Sequence, residues 1–128
     1  MRVLVETDSG GFAVDLETEE LEPTDVLAVE PPPDLNLPRL VAAAAAGSTV
    51  VAVVDARPPM LVSHDAGMTW RESGRGLPRG RAVAIDEGDP DTIVYASRNR
   101  LHLSTNGGLF WHTLATELPH IRHVQMEA

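Results

Sequence analysis

Apolar residues along this chain fall in short runs, separated by turn residues at close intervals. Val3, Leu4, Val5 and Thr7 form a weakly alternating strand. The turn cluster Asp8-Ser9-Gly10-Gly11 follows, and Phe12 to Leu16 makes a second strand, so the chain opens on a hairpin. Thr18 to Thr24 reads as a polar loop and Asp25 to Val29 as a third short strand. Pro31-Pro32-Pro33 lacks backbone donors and suits an extended connector. Further strands are predicted over Thr49–Val54, Met60–Val62, from Trp70, and over Arg81–Ile85, Thr92–Ala96, Arg100–Leu103, Phe110–Leu114 and Ile121–Met126. Asp55–Pro59, Glu87–Asp91 and Ser97–Asn99 are the turns between them. One run breaks the pattern. Val41 and the alanines Ala42 to Ala46, closed by Gly47, read as a helix on propensity alone.

A repeat resolves that run. Ser63 and Ser104 are 41 residues apart, as are Trp70 and Trp111. The Leu-Pro pairs beginning at Leu37, Leu77 and Leu118 are spaced by 40 and 41. Val83 and Ile85 then align with Ala43 and Ala45, and Val124 and Met126 fall in the same register. The alanine run becomes the innermost strand of a repeat unit, with helix as the alternative. Small residues suit a strand crowded near an axis, and tertiary pairing overrides propensity differences of tenths of a kcal/mol.

A period of about 40 residues with four short strands per unit is the signature of β-propeller blades. Residues 1–128 read as one all-β domain. Its parts are a partial blade over 1–36, full blades over 37–76 and 77–117, and an innermost strand over 118–128 that completes a blade. Three blades are fewer than the four to eight of a closed propeller. The expectation is therefore a homodimer closing a six-bladed ring. In it, the C-terminal strand Ile121–Met126 pairs with the N-terminal strand Val3–Glu6 of the partner chain, at two equivalent junctions.

Within the repeat, Ser63-His64-Asp65-Ala66-Gly67-Met68-Thr69-Trp70 has the form Ser-x-Asp-x-Gly-x-Thr-Trp. Its copy, Ser104-Thr105-Asn106-Gly107-Gly108-Leu109-Phe110-Trp111, keeps the serine, glycine and tryptophan. Asn106 stands in the aspartate position and Phe110 in the threonine position. The stretch resembles the Asp-box, or BNR, repeat of sialidases, sortilin-type receptors and photosystem II assembly factors. The resemblance implies a propeller fold and structural roles for Ser63, Asp65, Gly67, Thr69, Trp70, Ser104, Asn106, Gly108 and Trp111. Ser63 and Asp65 are suited to accept backbone N–H groups of their own hairpin, and Gly67 to take a positive φ.

Composition bears on function mainly by exclusion. The formal net charge is −9, and Glu6, Asp8, Asp15, Glu17, Glu19, Glu20, Glu22, Asp25 and Glu30 face only Arg2 in the first thirty residues. Such a surface argues against nucleic acid and anionic membranes as partners. No cysteine is present, no run approaches a membrane span, and the N-terminus turns acidic too early for a signal peptide, so a cytoplasmic protein is expected. The sialidase resemblance would require a tyrosine nucleophile with a paired glutamate, but the one tyrosine, Tyr95, sits mid-strand without a suggestively spaced acid.

His64, His102, His112, His120 and His123 show no metal-ligand spacing and read as isolated surface histidines. Asp86, Glu87, Asp89 and Asp91 form an acidic, solvated turn without calcium-loop spacing. No cofactor is implied, and few aromatics are free to stack on a sugar. Arg39, Arg79, Arg81 and Arg122 flank the starts of the innermost strands and are the candidate anion site at a channel mouth. Two classes stay open: a noncatalytic binding or scaffold module for a protein or small anion, and a hydrolase.

Overall fold

A computed structural model describes residues 1–25 and 32–127 of the chain. The described residues hold twelve β-strands and no helix, so none is long and apolar enough to cross a membrane. The strands are β1 (Arg2–Thr7), β2 (Gly10–Asp15), β3 (Leu21–Thr24), β4 (Leu40–Ala46), β5 (Thr49–Val54), β6 (Met60–Ser63), β7 (Arg71–Ser73), β8 (Gly80–Asp86), β9 (Asp89–Ser97), β10 (Leu101–Ser104), β11 (His112–Thr113) and β12 (Ile121–Met126). They form three four-stranded antiparallel sheets. Sheet 1 is ordered β12-β1-β2-β3, sheet 2 β4-β5-β6-β7 and sheet 3 β8-β9-β10-β11.

The alanine run is a strand. Ala42 to Ala46 pair with Val53 to Thr49. Ladder hydrogen bonds and burial of Ala42 and Ala44 against the neighbouring core outweigh alanine's helix preference.

Two expectations need correction. The fourth strand of sheet 1 is Leu21–Thr24, inside the stretch read as a polar loop. It is an exposed edge strand in which Pro23 stands opposite Phe12, a position where a missing N–H is tolerated. The strand expected over Asp25–Val29 lies almost entirely outside the described residues. The second correction concerns the termini. β12 pairs with β1 of its own chain, Val3 opposite Met126 and Val5 opposite Val124. The junction assigned to a partner chain is made in cis, because the C-terminal strand reaches the N-terminal hairpin of the same molecule. The amide of Asp8 donates to the carbonyl of His120 and that of Glu127 to Arg2, fastening both ends of the seam.

Sheet 3 is the middle layer. β8 packs between β12 and β4. Ala82, Ala84, Val94 and Ala96 join Val3, Val5, Val14 and Val124 in one core. Val83, Ile85, Ile93 and Tyr95 turn the other way and join Val51, Val53, Met60 and Val62 in a second. Residues 82–85 and 93–96 are therefore continuous apolar runs, as burial on both faces requires. Sheets 1 and 2 are the outer layers. The links from sheet 2 to sheet 3 and from sheet 3 to sheet 1 are short, residues 74–79 and 114–120.

Gly80 marks a close approach. A Cβ there would fall within the ring of Tyr95, whose hydroxyl donates to the carbonyl of Pro78 at 2.6 Å.

Candidate functional site

The two turn motifs are hydrogen-bond cages that set the β6–β7 and β10–β11 hairpins. In the first, Ser63 Oγ accepts the amides of Asp65 and Gly67 at 3.3 and 2.8 Å and donates to Asp65 Oδ1 at 2.7 Å. Asp65 Oδ1 also accepts the Thr69 amide at 2.8 Å, and Oδ2 the Thr69 hydroxyl at 2.5 Å. These Thr69 and Ser63 bonds stabilise the ionised carboxylate and hold the Asp65 pKa down at about 2. Gly67 takes φ 90°, and Trp70 lies over it. In the second copy Ser104 Oγ accepts the Gly108 amide at 2.9 Å, and Asn106 Oδ1 accepts the Ser104 hydroxyl and the Phe110 amide, each at 3.0 Å. Phe110 has no hydroxyl to repeat the Thr69 bond and stands exposed. Trp111 ties sheet 3 to sheet 2. Its indole N–H donates to Ser73 Oγ at 3.1 Å, and Ser73 in turn donates to the carbonyl of Gly108. The motif's oxygens and ring are thus engaged within the fold. A hollow of about 240 Å³ beside the first motif is lined by Asp65, Thr69 and Trp70, but both Asp65 oxygens already carry hydrogen bonds.

The larger space lies where the edge strands β4, β8 and β12 of the three sheets come together. A cavity of about 430 Å³ is lined by Ala43–Ala45, Val83–Glu87 and His123–Glu127, with Pro32 and Pro33 along it. Residues 43–45, 83–87 and 123–127 of the three strands border this one space. The alanines leave the room. The floor is apolar, and the rim carries Asp86, Glu87 and Glu127. The acidic turn and His123 had each been expected to stand alone.

The candidate arginines stand at or just before the starts of these strands and do not line the cavity. Arg122 Nε bonds Asp8 Oδ1 at 2.5 Å. That bond outweighs partial burial and keeps the Asp8 carboxyl below its usual range, with smaller contributions from His120 and Arg81. Arg98 Nε donates to His120 Nε2 at 2.9 Å, which places the imidazole proton on Nδ1, 3.6 Å from Asp8. Arg79 Nε is 3.6 Å from Asp55, whose amide donates to the carbonyl of Arg39. Arg122 is therefore paired with one carboxylate and Arg79 stands by another.

His102 is not a surface histidine. It is 2 % exposed, with Nε2 3.0 Å from Ser97 Oγ and Nδ1 2.8 Å from Thr113 Oγ1. Register places it opposite Thr113, so it does not face His112. Among the described residues no three His, Asp or Glu side chains gather as metal ligands. Tyr95 is wholly buried, and burial pushes its phenol pKa up. No family model, curated protein or solved structure matches the chain.

Proposed function

We propose that the chain is a noncatalytic binding module of propeller type, whose blades are the three sheets and whose ligand site is the cavity between the innermost strands. The observation that carries this reading is the convergence of β4, β8 and β12 on one space of about 430 Å³, within the usual size range of small-molecule sites. The turn motifs serve the fold, in keeping with the Asp-box resemblance. The hydrolase alternative is disfavoured by Tyr95, whose hydroxyl is bonded to the Pro78 carbonyl inside the molecule. A fluorogenic sialoside incubated with the protein is expected to show no turnover above buffer. Hydrolysis abolished by Tyr95→Phe would overturn the reading.

A second copy is the proposed closing partner. Sheets 1 and 2 each pack on sheet 3 by one face, and the free side of β4 carries Val41, 48 % exposed. With β12 already paired in cis, two copies would abut sheet 1 against sheet 2 without exchanging strands. Sedimentation equilibrium is expected to return twice the 13.8 kDa chain mass. A monomer at all concentrations would remove the six-bladed ring and leave the cavity in place.

A further inference from the structure

We infer that Asn106-Gly107, in the second turn motif, is a self-modifying deamidation site that the folded hairpin holds in check. The first motif has Asp65 and Ala66 at these positions. In the reaction the backbone nitrogen of Gly107 attacks Asn106 Cγ. A C–N bond forms, the Cγ–Nδ2 bond breaks, and Nδ2 leaves as ammonia with the proton of the Gly107 amide. Water then opens the cyclic imide at either carbonyl, giving an aspartyl or an isoaspartyl residue. Water is the one co-reactant. Glycine favours ring closure because no Cβ shields its nitrogen.

The fold restrains both reacting groups. The Gly107 amide donates to the carbonyl of Asp91 at 2.9 Å, and the Gly107 carbonyl accepts from Arg71 Nη2 at 3.2 Å. Attack requires the nitrogen to give up its proton and the peptide to rotate, and these bonds oppose both. Gly107 is buried, and a Cβ on it would meet Asp91 and His64 at 3.2 Å, so the turn has little room to move. Asn106 Oδ1 accepts the Ser104 hydroxyl and the Phe110 amide, which keep the carboxamide from swinging toward a new partner. The leaving nitrogen is the weak point. In the first motif the Thr69 hydroxyl bonds the second oxygen of Asp65, whereas Phe110 offers nothing to Asn106 Nδ2, which has no hydrogen-bond partner among the described residues. The reaction therefore waits on local opening of the turn.

The two products differ in what they do to the fold. An aspartyl side chain at position 106 keeps the cage, since Asp65 accepts the equivalent serine hydroxyl and backbone amide at 2.7 and 2.8 Å. An isoaspartyl residue adds a methylene to the main chain between Ser104 and Gly108. That displaces the Gly108 amide from Ser104 Oγ and the Gly108 carbonyl from Ser73, the residue to which Trp111 ties sheet 3. A turn that has opened long enough to react this way is thereby loosened from sheet 2.

The test is incubation of the full chain at mildly alkaline pH, in native buffer and in denaturing urea, followed by tryptic digestion and mass spectrometry. The fragment Leu101–Arg122 holds no other side-chain amide, so an amide-to-acid mass gain in it reports Asn106 alone. Isoaspartyl methyltransferase labelling of the same fragment counts the second product. Conversion is expected in urea, and at least about tenfold more slowly in native buffer. Ser104→Ala removes one bond to Oδ1 and is expected to speed the native reaction several-fold without changing the rate in urea. Phe110→Thr supplies the missing hydroxyl at an exposed position and is expected to slow the native reaction, and it serves where Ser104→Ala fails to fold. No conversion in urea would show that Asn106-Gly107 is not a site. Equal rates in native buffer and in urea would show that the hairpin does not restrain it.

Discussion

Replacing Tyr95 with alanine is expected to destabilise the fold by about 3–5 kcal/mol, the range for removing a fully buried aromatic side chain. Stabilities of roughly 0.05–0.15 kcal/mol per residue make this a large share of the whole. Tyr95 lies on β9 in the core between sheets 2 and 3, with no exposed surface. Its ring centroid is 6.1 Å from that of Trp111, edge-on, and 5.5 Å from that of His102. The ring fills the space that a side chain at Gly80 would take, so its removal leaves a void that Gly80 cannot fill. Tyr95→Phe keeps the ring and forfeits the bond to Pro78, for an expected loss of about 1 kcal/mol. Urea unfolding of the three proteins separates the two contributions. A Tyr95→Ala loss no larger than that of Tyr95→Phe would show that the ring is not packed as described. The pair of variants also bears on function, since a nucleophile would make the phenylalanine change catastrophic for activity and mild for folding.

How far the sequence disclosed this arrangement depends on the range of the interaction concerned. Thr49–Val54 and Ile121–Met126 were legible as strands to the residue, because pattern and turn signals are local. The alanine run was legible only through the repeat, which carried information from Val83 and Ile85 to residues with no strand preference of their own. Leu21–Thr24 was missed because an exposed edge strand has no apolar face to mark it, and its proline argues against a strand until the partner strand is known. The layering was not legible. Nothing local states that sheet 3 lies between the other two, nor that β12 closes onto β1 of the same chain.

Burial of His102 follows from that layering. Leu101 and His102 point to opposite faces of β10, and both are buried because sheet 3 is covered on both sides. In a sheet with one wet face, one of the two would be exposed. The acidic rim is the opposite case. Asp86 and Glu87 were legible as an acidic turn, but nothing local says that this turn borders a space.

Acid is expected to weaken the protein through His102 before the carboxylates titrate. Burial, aided by the charge of Arg100, pushes the His102 pKa from 6.5 down to about 4. The hydrogen bonds fit a neutral ring. Ser97 Oγ donates to the carbonyl of Arg100 and so accepts from Nε2–H, while Nδ1 accepts the Thr113 hydroxyl. Between the two pKa values the unfolded chain binds a proton that the folded chain refuses. The neutral ring's full contribution is present above 6.5 and is lost as pH falls toward 4, by about 3 kcal/mol at pH 4. Asp65 belongs to a lower window. Its folded pKa of about 2 against 3.8 unfolded means that its contribution is kept above 3.8 and lost only below it. Urea unfolding at a series of pH values from neutral to about 4.5 separates the two, because the contribution of Asp65 is kept throughout that span while that of His102 is being lost. His102→Gln, which retains a donor and an acceptor for Ser97 and Thr113, is expected to be less stable at neutral pH and to flatten the slope. A wild-type stability that holds level down to pH 4.5 would mean that water reaches the ring, and with it that sheet 3 is not covered on both faces.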